Sequence, residues 1–217
     1  MIGRVVIFGD SYSTHKDVIP TSYPAYYYTG GRSPEEAVTD MRPEETWWGR
    51  LISETGATLV HNNSWSGSTI GYTGYLGDCS HSSSFIYRFR CLCESGFFDK
   101  NELDTVFIFG GTNDSWSDAP LGEAMLSGWQ ESDLYSVLPA ISYFISAVKE
   151  KFPDKRLVVI SNCDIKSEIR ECMASAAAAV GAILVPLHDI EKQSRHPNKN
   201  GMKEIASQVM ATLLKYE

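Results

Sequence analysis

Along the chain, short runs of nearly unbroken apolar residues alternate with longer segments whose apolar positions recur at helical spacing. Five runs read as buried strands: Arg4–Gly9 (RVVIFG), Ala57–Asn62 (ATLVHN), Asp104–Gly110 (DTVFIFG), Arg156–Ser161 (RLVVIS) and Ala182–Leu187 (AILVPL). Continuous Val, Ile, Leu and Phe is the pattern of parallel strands covered on both faces. Helical patterns lie between or after these runs. Glu44–Gly56 carries Trp48, Leu51 and Ile52 on one face and ends in a glycine stop. Ser132–Phe152 opens on a serine cap, and Pro139 inside it predicts a kink or a late start. Lys166–Gly181 and Asn198–Tyr216 complete the set, the last with a stripe of Met202, Ile205, Ala206, Val209 and Leu213. Strand and helix in alternation predict an α/β fold with a doubly wound parallel sheet. No repeat or linker divides the chain, so residues 1–217 are expected to form a single domain.

Two stretches do not fit a minimal sheet. One runs from Tyr12 to about Pro43 and is rich in Tyr, Pro and Gly; the other runs from Gly110 to about Glu131. Long loops in a compact domain are usually functional. Both leave the carboxyl end of a predicted strand, the edge at which open α/β sheets bind ligands.

Composition narrows the classes. At 43% hydrophobic and 21% charged, the 217-residue chain has the balance of a soluble globular protein. Its 27 acidic residues against 19 basic give a net charge of -8, and no basic run appears. A nucleic-acid partner is therefore not expected. Neither is a membrane: the longest apolar stretch, Met173–Leu187, is too short to span a bilayer and contains Gly181. It reads as a helix end running into a strand. The start, MIGRVVIFGDS, lacks the ordered regions of a secretory leader. Five cysteines, an odd number without framework spacing, suggest reduced thiols. A cytoplasmic location is the expectation.

Four polar blocks follow the predicted strands or precede the last helix: GDSYS with Ser11, HNNSWSGSTIG with Gly67, GGTNDSW with Asn113, and RHPNKNGM with His196. The topology brings them to one sheet edge. Serine is a weak nucleophile until an imidazole takes its proton. A tetrahedral intermediate needs preorganised donors for its oxyanion. The N–H groups of Ser11 and Gly67 and the Asn113 amide could supply three. Taken singly, Ser11 could be an ordinary cap and Asn113 a turn former.

With these blocks in this order, the chain resembles the SGNH hydrolases, the GDSL-type esterases and lipases, over most of its length. The resemblance implies a flavodoxin-like three-layer α/β/α fold with a five-stranded sheet and no metal cofactor. It places the nucleophile on Ser11, the base on His196, and the oxyanion donors on Gly67 and Asn113. One position departs from the pattern. Where the family has Asp three residues before the histidine, this chain has Gln193. A Ser11–His196 dyad helped by a backbone carbonyl is the first expectation. A triad completed by Asp189 or Glu191 is the second, and Gln193 as orienting group the third.

The remaining candidates are weaker. His15, His61, His81 and His188 lack metal-ligand spacing. Cys91 and Cys93 would face different ways on a helix. No metal or other cofactor is expected. Tyr12, Tyr26 in SYPAYYY, and Trp116 are candidate substrate-binding residues, since aromatic faces with polar tips suit sugar rings or aryl groups. The expected function is a serine esterase acting on a small-molecule ester, with acetylated carbohydrate as one candidate. The alternatives are acyl transfer to a sugar or other alcohol, and a non-catalytic ligand-binding module on the same fold.

Overall fold

A computed structural model describes residues 2–31 and 38–216. Residues 32–37, within the first long loop, lie outside the described residues. Five parallel strands, β1 (Arg4–Gly9), β2 (Thr58–Ser64), β3 (Thr105–Gly110), β4 (Arg156–Ser161) and β5 (Ile183–Pro186), form the sheet. Their spatial order is β2-β1-β3-β4-β5. This is the flavodoxin-like order, whose switch point lies between β1 and β3.

The helices are α1 (Trp47–Thr55), α2 (Phe85–Glu94), α3 (Phe97–Lys100), α4 (Thr112–Trp116), α5 (Val137–Lys151), α6 (Ser167–Ala179) and α7 (Lys199–Leu213). Alternate side chains of each strand enter opposite layers. Val6, Phe8, Val106, Ile108, Leu157 and Val159 pack against α2, α5 and α6. Val5, Ile7, Phe107, Phe109, Val158 and Ile160 pack against α1 and α7. Burial on both faces is why these strands read as unbroken apolar runs.

Three boundaries shift for physical reasons. α1 begins at Trp47, three residues past Glu44, because Pro43–Glu45 wind a 3-10 turn and Thr46 caps the helix through its hydroxyl oxygen, which accepts from Gly49 N–H. The segment expected as one helix from Ser132 divides into a 3-10 turn, Glu131–Tyr135, and α5 from Val137. Pro139 thus falls in the first turn, where a missing N–H breaks no intrahelical bond. The N–H groups of Val137 and Leu138 donate to the carbonyls of Pro120 and Leu121. Within the second long loop, α4 starts directly after Gly111.

Candidate active site

Ser11 stands two residues beyond β1's end at Gly9, in a turn made by its neighbours. The Asp10 carboxylate accepts the Tyr12 N–H at 3.0 Å, the Ser13 N–H donates to Asp10 O, and the Thr14 N–H to Ser11 O. Glycine at position 9 permits the tight exit: a Cβ there would lie 2.5 Å from both Ser13 Cβ and Ser64 Oγ. Asp10 is fully buried, and that burial pushes its pKa up to about 7 against the Tyr12 hydrogen bond.

Ser11 Oγ and His196 Nε2 are 3.0 Å apart. The opposite ring nitrogen, Nδ1, lies 3.0 Å from the backbone carbonyl of Ser194. A carbonyl oxygen only accepts, so Nδ1 carries the proton and Nε2 faces the serine as an acceptor. The orienting carbonyl is delivered by a two-residue hairpin. Gln193 and His196 pair antiparallel, with Ser194 at φ 50° and Arg195 at φ 66° between them. Successive positive φ values are the pattern of a type I′ turn, which matches strand twist but usually recruits Asn and Gly. Here Ser and Arg hold it, and two buried phenols brace its exit. Tyr12 Oη donates to Arg195 O at 2.5 Å and Tyr27 Oη to Pro197 O at 2.8 Å. The imidazole itself is stacked on the Tyr26 ring, centroids 3.6 Å apart and planes 9° from parallel. Beyond it, Asn198 caps α7 through bonds from Asn200 and Gly201 N–H.

Burial lowers the pKa of His196, opposed by the Ser194 hydrogen bond and reinforced by the charge of Lys192. The neutral ring is the form that can take a proton.

The other sequence candidates fall unevenly around this pair. Asn113, on α4 after β3, lies across the switch point from Ser11. Its Nδ2 donates to Ser68 O at 2.9 Å, and its Oδ1 accepts from Tyr75 Oη at 3.1 Å. Gly67 has φ +81° and open space where a side chain would be. No hydrogen bond among the described residues uses the Ser11 or Gly67 N–H. Asp114 ties the Asn113 helix to the segment after Gly67, its carboxylate accepting from Ile70 and Gly71 N–H; burial raises its pKa to about 6. Trp116 is half-buried, with its ring 6.5 Å from that of His196 and the Arg195 guanidinium 5.5 Å from its centroid.

Among the described residues, none of the lower-ranked orienting groups faces His196 Nδ1, and Tyr12 is placed otherwise than expected. The Asp189 carboxylate is exposed and pairs with the His188 ring. Glu191 takes the side-chain amides of Asn198 and Asn200. Gln193 is exposed. At His196 Nδ1 the carbonyl of Ser194 occupies the place an acid would take. Tyr12, expected at the substrate, is fully buried with its hydroxyl bound to Arg195 O, so it supports the histidine turn from beneath.

Sequence reasoning missed Arg88 altogether. It is 1% exposed, and its guanidinium donates to Ser83 O, Asn63 O and Oδ1, Gly9 O and Ser68 Oγ. It thereby joins the ends of β1 and β2 to the Gly67 segment. Burial lowers its pKa to about 9, which leaves it a cation at neutral pH. Among the described residues no three His, Cys, Asp or Glu side chains come together as metal ligands, and no helix is long and apolar enough to cross a membrane.

Comparison with known proteins shows the family and the fold. The family model for GDSL-like lipase/acylhydrolase matches residues 3–213. A GDSL-like lipase from Bacteroides uniformis superposes with a TM-score of 0.87 at 38% identity, over 99% of this chain and 96% of that one. A second, from Bacteroides ovatus, gives 0.86 at 34% identity, over 99% of both chains. A family two carbohydrate esterase from Clostridium thermocellum, solved in complex with cellohexaose, shares the fold at 16% identity and a TM-score of 0.62, over 99% of this chain and 64% of that one. A search of curated proteins finds no match. Match, fold order and sequence identity converge: the chain belongs to the GDSL-like lipase/acylhydrolase family.

Proposed function

We propose that the protein is a serine esterase that cleaves small esters, acetyl esters of carbohydrates among them, through a covalent Ser11 acyl-enzyme. The 3.0 Å contact between Ser11 Oγ and the acceptor nitrogen of His196 carries this reading. His196 takes the Ser11 proton as Oγ attacks the ester carbonyl. The N–H groups of Ser11 and Gly67 and the Asn113 amide receive the oxyanion. His196 then protonates the leaving alcohol, accepts a proton from water and so clears the acyl group. Among the described residues, no carboxylate faces the imidazolium formed in between. The carbonyl of Ser194 fixes its tautomer and accepts the hydrogen bond of its Nδ1 proton, and the stacked Tyr26 face adds electrostatic support. The carbohydrate reading draws on the shared fold of the cellohexaose-bound esterase and on the half-buried Tyr26 and Trp116 at the site.

A panel of esters from acetate to decanoate, with acetylated sugars included, tests the reaction and its substrates. Highest kcat/KM on acetyl esters, with release of acetate from acetylated sugars, is expected. Activity confined to long acyl chains, or none on any ester, would overturn the reading.

Two further results follow from the geometry of His196. Because burial lowers its pKa and no carboxylate among the described residues raises it, the proton-accepting form persists to acid pH. In a pH series, kcat/KM is expected to hold through neutrality and to fall only below the ~6.5 of a free imidazole. An acid limb centred above that value would mean that a negative group faces the ring. Gln193→Ala is expected to change kcat less than about tenfold, under ~1.4 kcal/mol, because the turn and not the amide orients Nδ1. A much larger loss, measured on a folded variant, would assign the orienting role to the glutamine.

A further inference from the structure

Asn113 is held from two sides, and only one of its partners belongs to the four sequence blocks. Ser68 O is an acceptor, so it fixes which end of the amide is Nδ2. That bond uses one of the two Nδ2 protons and leaves the other for an oxyanion. Tyr75 Oη donates to the remaining end, Oδ1, at 3.1 Å. Donation into an amide oxygen polarises the group and makes its N–H a stronger donor. Tyr75 sits at the tip of a short hairpin in which Thr73–Gly74 pairs with Gly77–Asp78. Its ring is half exposed, Leu76 beside it is fully exposed, and both line a cavity of about 390 Å³ that also touches Trp65 and Gly67. Burial, with the charges of Asp10 and Asp114, raises the phenol's pKa above its ordinary value, so it remains a donor through neutral and mildly alkaline pH.

We propose that Tyr75 is a positioning residue of the esterase site: its hydroxyl sets and polarises the Asn113 amide for the oxyanion, while its ring walls the substrate cavity beside Gly67. The proposal rests on the esterase reading above. It separates two contributions of one side chain. The hydroxyl acts through Asn113 on the transition state; the ring acts on substrate binding.

Tyr75→Phe keeps the ring and removes the hydroxyl. It is expected to lower kcat about tenfold, the scale of one neutral hydrogen bond, with KM nearly unchanged. Tyr75→Ala is expected to lower kcat similarly and to raise KM as well. In an Asn113→Ala background, Tyr75→Phe is expected to cost nothing further, since the group it acts through is gone. A wild-type kcat in Tyr75→Phe, or an equal loss in both backgrounds, would overturn the proposal. The side-chain amide protons of Asn113, identified in NMR spectra by their loss in Asn113→Ala, provide a readout independent of turnover. In Tyr75→Phe they are expected to shift and exchange faster with solvent. Unchanged amide signals would refute the proposal even in an active esterase, whereas absent ester turnover with the expected amide changes would refute only the esterase reading.

Discussion

Ser11→Ala and His196→Ala are each expected to lower kcat for ester hydrolysis by about 10⁶-fold, the scale seen when either member of a serine–histidine unit is removed. The two losses should be of the same size and should not add in the double variant, because nucleophile and base perform one step. Neither change should unfold the protein. Ser11 contributes a single hydroxyl whose partner is His196. His196 is half-buried, with its ring stacked on the half-buried Tyr26. Circular dichroism and thermal melting would verify this, and kcat on an acetyl ester would give the effect. Wild-type turnover in either folded variant would remove that residue from the mechanism. A loss in His196→Ala of only tenfold would assign the base to another group.

Asn113→Ala is expected to lower kcat by about two to three orders of magnitude with KM little changed. Asn113 is 4% exposed, its amide held by Ser68 O and Tyr75 Oη and so preorganised before substrate arrives. Such a donor acts on charge that develops only in the transition state, which is why its loss should appear in kcat. Steady-state kinetics on one ester decides the matter. A change confined to KM would mean that Asn113 binds the ground-state ester. Asn113→Asp is the isosteric counterpart, and it too removes the proton given to Ser68 O. It keeps the size of the side chain but places an acceptor where the donor stood, and kcat should remain low.

Much of the fold is legible in the sequence because burial on both faces of a parallel sheet leaves unbroken apolar runs. Arg156–Ser161 is a strand with the very bounds its pattern suggests, and the Met173–Leu187 run divides into the end of α6 and β5 as its glycine implies. α2 escaped a similar reading because Arg88, a charged residue, occupies a buried position on it and breaks the apolar stripe. α4 is five residues long, too short to show a period. Among the site residues, Ser11, Gly67, Asn113 and His196 announce themselves through the motifs that carry them. What surrounds them does not. The carbonyl at His196 Nδ1 belongs to a backbone, and any residue at position 194 would supply one. That it points inward depends on the positive φ of Ser194 and Arg195, residues that seldom signal such a turn. Tyr12 and Tyr26 read as substrate-binding residues, yet Tyr12, together with Tyr27, holds a carbonyl flanking His196 and Tyr26 lies flat on its ring. Tyr75 gives no signal at all, since its partner lies 38 positions away along the chain.

The central claim is that Ser11 is a nucleophile activated by a histidine oriented without a carboxylate. Covalent capture tests it most directly. The wild-type protein is incubated with a fluorophosphonate, and the adduct is located by peptide mass spectrometry while its rate of formation is followed in parallel. One adduct per chain on the Ser11 peptide is expected. It should form at a wild-type-like rate in Gln193→Ala, Asp189→Asn and Glu191→Gln, and at a severely reduced rate in His196→Ala. No adduct on Ser11, or capture that collapses in Asp189→Asn or Glu191→Gln, would contradict the account.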